Sequence, residues 1–556
     1  MAGEEQDVQT QPHAAHDHES RTPAKQGGWI TIPFILGNAF GLALVLSGVM
    51  GNFTVYLVKC YNFKRMDAAL LTNIMYGTSS FLPLLGAILS DSFFGCFLIV
   101  AFSTVASLCC IIILTITAGI KALRPPNTYT QATSGQLAVL YTGIVLYTIG
   151  AAGTRFSMMK LGVDQLSNVG DQDVFFNWSF IVLYGAVAIG STVIVYVEYS
   201  ISWELGFGIC LTVTALAVLS FLLGIKYYLI SRPKRNPFMT MARVVIAGVR
   251  KRKLALPEEE AAYYRGLFEK TDQPPFSSFS CMNRAALIQQ GDVATDGSIA
   301  RPWSLCSIED VNDLKTLIRI VPLWTSNVFL SISIATQASL SVLQALTMDR
   351  SLGSHFSVPA GSFSIATLLA ICLTLFILDR GIYPLCHHLT SYTPTPLQRV
   401  GIGQAFNIAA MVASVHIEHR RSIIVHEHQA ENQPDWIVPM SAFWLVLPYV
   451  FIGIGEAFHF PGQISFYYQE FPKSLKSTAI GIVAVLMSIG FYLSMAVLAV
   501  VRRATSWLPD NLNSSRLGNV YWMLTLVASI NFFYFILCAK FYKKQSDDKH
   551  VVGAVN

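Results

Sequence analysis

The sequence predicts an all-α membrane protein of twelve transmembrane helices, arranged as two six-helix halves. Three observations carry this. The composition is 53% hydrophobic and only 13% charged over 556 residues, with a mean hydropathy of +0.49. That is too apolar for a water-soluble chain of this length. Twelve apolar runs are each long enough to cross a hydrocarbon core of about 30 Å. One long polar stretch then divides the runs into six and six.

Residues 1–28 open the chain with a polar, acidic segment rich in Pro, Gln and His. It has no basic n-region and no cleavage site, so it reads as a disordered cytosolic tail and not as a secretory signal. The first half, 29–230, holds runs at roughly 30–58, 67–90, 94–121, 136–161, 174–198 and 204–229. The linker, 231–313, carries the densest basic clusters: Lys234 and Arg235, then Arg250, Lys251, Arg252 and Lys253. The positive-inside rule puts this segment, and with it both termini, in the cytosol. The second half, 314–543, holds runs at roughly 315–346, 361–386, 396–416, 437–466, 477–501 and 518–541, and a cytosolic tail follows at 544–556.

Within the linker, Met239–Lys253 pairs an apolar face with a basic end. It reads either as an interfacial helix on the inner leaflet or as a soluble helix packed on the bundle. Ser307 to Asp310 has the form of a capping box opening the seventh run. Gly86 to Gly95 falls between runs two and three as a G-x-x-x-D-x-x-G loop, and Asp91 in it can cap and anchor neighbouring helices.

Most charges flank the runs. Arg155 in run four and Glu456 in run ten lie inside them. Ionisable groups at membrane depth are costly and usually functional. The two therefore predict either a gate or substrate pair across the halves, or separate groups that each steady their own half. His459 follows Glu456 by three residues, so both share one helix face. It predicts either a proton-sensitive element or a histidine bonded to a neighbouring helix. Pro461 should kink the same helix.

The cluster His416, Glu418, His419, His426, Glu427 and His428 reads as a solvated outside loop, because Arg420 and Arg421 in its middle oppose a metal. Asn513-Ser514-Ser515 is a glycosylation sequon of a kind frequent by chance. The ten cysteines have no C-x-x-C spacing and read as small buried hydrophobes. Basic tracts with interleaved aromatics are absent, which excludes nucleic acid as a partner. No Walker A, G-x-S-x-G or H-E-x-x-H pattern occurs, so neither an enzyme nor an ATP-driven pump is expected, and no cofactor or metal.

Several stretches together are familiar: GGWITIPFILGN at Gly27–Asn38, SDSFFG at Ser90–Gly95, FFNWSF at Phe175–Phe180, TPLQRVGIG at Thr395–Gly403, and GEAFHFPGQ followed by YQEFP at Gly455–Pro472. With them the chain resembles the plant nitrate/peptide transporter family, the proton-dependent oligopeptide group of the major facilitators. The first and last stretches are most similar to its nitrate excretion subgroup. The resemblance implies two six-helix halves that rock about a central cavity. It also implies a helix-4 cation for anionic substrate groups, here Arg155, and a helix-10 glutamate, here Glu456. The departures are as informative. The family's helix-1 E-x-x-E-R/K motif falls on Ala39, Leu42 and Ala43. Its asparagine after FFNW falls on Tyr184, and the helix-7 histidine that binds nitrate in some members falls on Ile334, with Gln337 and Asn327 nearby as amide donors.

The expectation is a low-affinity nitrate transporter, with chloride as a second anion, acting as a facilitator or efflux carrier because the helix-1 coupling motif is missing. Arg155, Glu456, Gln337, Tyr56 and Tyr184 are the expected substrate residues, and Glu456, His459 and Asp91 the gating or proton-sensing ones. A carrier of larger organic anions, hormones or glucosides, and a receptor-like or scaffold member without transport, stay open. So do a homodimer and the choice between the plasma membrane, which the subgroup suggests, and the vacuolar membrane.

Overall fold

The computed structural model describes residues 27–63, 65–126, 130–154, 157–230, 236–255, 263–265, 279–353, 356–358, 360–390, 394–433, 436–509 and 511–554. Among them, eleven helices are long and apolar enough to cross a membrane. A further helix, over Arg65–Leu89, occupies the predicted second run.

The first half contains α1 (Ile32–Tyr61), α2 (Arg65–Leu89), α3 (Cys96–Gly119), α4 (Ser134–Thr154, then Ser157–Val163), α5 (Val169–Ile189, extended to Ser200) and α6 (Trp203–Leu223). Helix α7 (Pro237–Arg250) lies in the linker. The second half contains α8 (Ile308–Leu346), α9 (Ile365–Ile377, extended to Thr390), α10 (Pro396–Glu427), α11 (Val446–Glu470), α12 (Lys476–Ala504) and α13 (Leu517–Ala554). Run ten of the sequence is thus α11.

Local chemistry explains where the helices start and stop. Asn62 ends α1 in the left-handed region at φ 57°, a conformation its short polar side chain tolerates. The capping box expected at α8 is present: Ser307 accepts from the Asp310 amide at 3.2 Å, and Asp310 accepts from the Ser307 amide at 3.3 Å. Thr395 and Gln398 form a second box at α10, with Pro396 in its first turn. Three π-helical turns interrupt the regular pattern, at Ser90–Phe94 after α2, Gly190–Ile194 in α5 and Leu378–Ile382 in α9. Such turns add a residue to the winding and re-aim the side chains that follow.

The cores show how the halves meet. One apolar cluster joins them, built from Ile32, Phe175, Phe176 and Phe180 of the first half with Leu323, Ile464, Tyr468 and Ile480 of the second. These residues lie toward the linker end of the bundle. At the far end each half keeps its own core: Phe53, Tyr56 and Phe207 in the first, and Val438, Leu445 and Tyr449 in the second. The bundle is therefore closed at the linker end.

One expectation is corrected at the far end. The histidine cluster is not a loop, because α10 continues to Glu427. Its faces divide the cluster: His416, His419 and His426 are exposed, while Glu418 and Arg421 are about 1% exposed. Arg421 binds both Glu418 oxygens, at 2.8 and 2.7 Å, and also reaches Thr347, Asn513 and the Leu512 carbonyl. Gln344 donates to Glu418 at 2.8 Å. The Asn513 of the sequon is buried in this network, and its amide donates to the carbonyls of Gln433 and Trp436 at 2.9 and 3.0 Å. A second correction concerns the linker. Lys251 is not part of a solvated basic end. It is buried and paired with Asp292 at 2.7 Å.

Arg421→Met leaves the Glu418 carboxylate buried without a cation and should cost about 3–5 kcal/mol. A thermal melt in detergent reads this as a lower midpoint, and adding Glu418→Leu should recover most of the loss. A glycan on Asn513 would replace one of the two hydrogens it gives to Gln433 and Trp436 and has no room in this buried network. Peptide N-glycosidase should therefore cause no mobility shift that depends on Asn513.

Candidate functional site

The site is built where α10 and α11 touch backbone to backbone. A Cβ at Gly403 would lie 2.5 Å from the Gly455 carbonyl and 2.8 Å from His459 Cβ, and one at Gly455 would lie 2.8 Å from the Gly403 carbonyl. Only glycines permit this approach. It sets the Glu456 turn of α11 against α10, with α8 completing the wall. A small cleft results, lined by Leu330 and Ile334 of α8, Gly403 and Asn407 of α10, and Ile452, Gly455, Glu456 and His459 of α11.

The cleft's polar groups lack partners. Asn407 is about 3% exposed, yet both its amide nitrogen and its amide oxygen are without a hydrogen bond. His459 is equally buried with Nδ1 unpartnered, while its ring neighbours the Val400 backbone and the Gln463 side chain. Among the described residues Glu456 has neither a hydrogen-bond nor an ion-pair partner. An unmet polar group at membrane depth is costly, so a cleft that gathers three of them is suited to an ion or water. Sequence reasoning found Glu456 and His459 but missed Asn407, although it lies four residues beyond the TPLQRVGIG stretch. A polar residue one helical turn from a glycine was the available signal.

The remaining candidates divide. Tyr184 reaches the site's edge through rings: it stacks on Phe180 at 5.8 Å, and Phe180 stacks on Phe460 of α11 at 6.5 Å. Gln337 is not brought to the cleft. It is fully buried, and its amide donates to Ser414 at 2.8 Å between α8 and α10. Tyr56 lies in the far-end core of the first half, its hydroxyl 3.0 Å from Thr117 and its ring among Tyr61, Trp203 and Phe207. Arg155 lies outside the described residues.

Asp91 acts across the halves at the linker end. Its carboxylate accepts from the Ser477 and Thr478 amides, at 3.2 and 2.7 Å, and from the Thr478 hydroxyl at 2.8 Å. It thus satisfies the first turn of α12, where an anion is favoured. Three more contacts join the halves there. Tyr468 of α11 donates to Asp164 at 2.6 Å, and Asp164 also pairs with Lys160 at 2.5 Å. Arg399 of α10 pairs with Asp173 at 2.7 Å. Trp178 of α5 donates to Asp379 of α9 at 3.0 Å. Sequence reading passed over Asp379 as a charge at a run's end, and it did not single out the other two pairs. Asp91 and Asp379 both sit in π turns.

Tyr468→Phe removes the hydroxyl that joins α11 to α4. A bond to a charged group contributes about 1.5 kcal/mol or more, so the population open at the linker end should rise roughly tenfold. Spin-label distances between linker-end positions of α4 and α11 measure this, and an unchanged distance distribution would refute the latch.

Comparison with known proteins agrees with this architecture. A family model described as the POT family matches residues 97–523. The chain is 42% identical over 525 residues to Protein NRT1/PTR FAMILY 2.6 of Arabidopsis thaliana, covering 93% of each. It is also 42% identical over 544 residues to Protein NRT1/PTR FAMILY 2.7 of the same plant, covering 96% of this chain and 97% of that one. The fold matches the crystal structure of the POT family transporter PepTSo with a TM-score of 0.60, at 17% identity over 93% of this chain and 99% of that one. It matches an auto-inhibited POT family peptide transporter with a TM-score of 0.56, at 18% identity over 93% and 97%. Two helical halves latched at the linker end, with relatives that span nearly the full chain, identify a multi-span membrane transporter and not an enzyme: the chain belongs to the NRT1/PTR (POT) family.

Proposed function

We propose that the chain carries nitrate, with chloride as a second anion, at low affinity and by alternating access, as a facilitator or efflux carrier. The observation that carries this reading is the cleft at Glu456. It sets the unpartnered Asn407 amide and His459 Nδ1 beside the Glu456 carboxylate in a narrow space. That suits a small ion better than a hormone or glucoside. In this reading Arg155 attracts the anion, Glu456 competes for Arg155 and resets the carrier, and the Tyr184–Phe180–Phe460 stack borders the path. Asp91 belongs to the latch that must open before the ion can leave toward the linker. The exposed Arg250, Arg252 and Lys253 support a cytosolic linker, so release at that end is release into the cytosol and the state described faces outward. We assign the carrier to the plasma membrane, the vacuolar membrane being the alternative that imaging a tagged protein decides.

Labelled nitrate flux in oocytes tests the anion site. Losing a charged contact of about 1.5–3 kcal/mol should make Arg155→Ala roughly ten- to a hundredfold weaker, with Arg155→Lys in between. No nitrate flux by the native chain, in either direction and at any pH, would overturn the proposal. Flux of a larger organic anion would replace it with the second reading, and no flux of any metabolite with the scaffold reading.

Glu456 and His459 lie three residues apart on one face of α11, where carboxylate and imidazole can each exchange a proton with the cleft. His459→Ala should flatten the pH response of flux while leaving the protein folded and monodisperse. An unaltered pH profile in that variant would remove His459 from the gating group.

A further inference from the structure

Helix α7 has two faces that the transport reading leaves unused. Its inner face, Pro237, Val244 and Ala247, is buried, and Val244 and Ala247 pack with Ala285, Ala286, Ile308 and Val311. Its opposite face is bare and apolar: Met239, Ala242, Val245, Ile246 and Val249 follow at helical spacing, with Val249 59% exposed. No polar side chain interrupts this stripe. A soluble helix would carry its charges there. Instead the charges sit at the edge and end: Arg250 borders the stripe, and Arg252 and Lys253 follow it, all three exposed.

The neighbouring surface says what covers the stripe. Helix α7 lies against the Ser90–Phe94 turn. In that turn Phe93 and Phe94 are 64% and 52% exposed. The apolar surface then continues onto α3 through the exposed Leu98, Phe102 and Val105, side chains of a helix apolar enough to span a membrane. The bare stripe is therefore continuous with lipid-facing surface. Apolar side chains beside a cluster of cations match the interior edge and the anionic headgroups of a bilayer.

We propose that α7 docks on the membrane surface, with Met239, Ile246 and Val249 among the acyl chains and Arg250, Arg252 and Lys253 on the phosphates of anionic lipids. The expectation of an interfacial helix and that of a helix packed on the bundle then both hold, on opposite faces. Because α7 touches the turn that carries Asp91, lipid composition acts on the same segment that caps α12.

The test uses the full-length protein in phosphatidylcholine bilayers, with and without about one quarter phosphatidylglycerol as the anionic lipid. An environment-sensitive fluorescent amino acid replaces Ile246 genetically, or Asp296 as the exposed control. Bromine-labelled acyl chains should quench the probe at Ile246 several-fold more than aqueous iodide does, with the reverse at Asp296. Phosphatidylglycerol should strengthen the lipid quenching, and R250Q/R252Q/K253Q should abolish that increase. Iodide quenching at Ile246 equal to that at Asp296 would overturn the docking and favour a water-facing surface for a soluble partner. A phosphatidylglycerol effect that survives the triple substitution would overturn the role of the three cations. Neither readout depends on which anion is carried.

Discussion

The structure depends on one constraint: within the bilayer no water is present to satisfy a polar group, so each must find its partner inside the protein or become a place where something binds. Most of the buried polar groups obey it. Hydroxyls along α3, α8 and α10 return to carbonyls one turn back, as Ser107, Thr336 and Ser414 do. Arg421 and Glu418 neutralise each other inside a ring of amides. The rule lapses at scattered buried atoms, such as Gln337 Oε1 and Gln404 Oε1, but at the Glu456 cleft it lapses in three adjacent side chains. That concentration separates the cleft from the region of Gln337, whose amide nitrogen is held by Ser414.

The same constraint explains the latch. Opening the linker end must expose Asp91, Asp164, Asp173 and Asp379 together with the donors they now hold. Each bond is modest by itself, because water can replace it once the end opens. The apolar cluster beneath them, with Phe176, Phe180 and Phe460, supplies a cost that water cannot replace. The polar pairs thus select the geometry of closure, while the aromatic layer supplies much of its strength. This division suits a carrier, which must alternate between two states of similar free energy.

Much of this was legible in the chain. Twelve runs, the capping box at Ser307, the anchoring role of Asp91 and the depth of Glu456 and His459 all follow from composition and short-range spacing. The cross-half pairs did not, because residues such as Asp164 and Tyr468 are joined only by the packing of two halves, and no local period encodes that. The π turns escaped for a related reason: a single extra residue shifts the face of everything beyond it without altering the hydropathy of the run. Helix α10 was cut short at 416 because Glu418 and Arg421 look like the edge of water. They are buried because each is the other's counter-ion. Lys251 was misread in the same way, its partner Asp292 lying in another part of the linker. Tyr56 and Gln337 were chosen by helix position alone, and position along an axis does not say which way a side chain turns.

The Glu418–Arg421 pair also bears on how the protein is made. The two residues are three apart on α10, so they meet as soon as that helix winds, before Asn513 has been made. A lone arginine entering the bilayer is costly to insert. A pre-formed pair enters as a dipole instead. The helix can then be handed to the membrane at full length, and Gln344, already made on α8, and Asn513, made later, need only complete a bond network that travelled in with it.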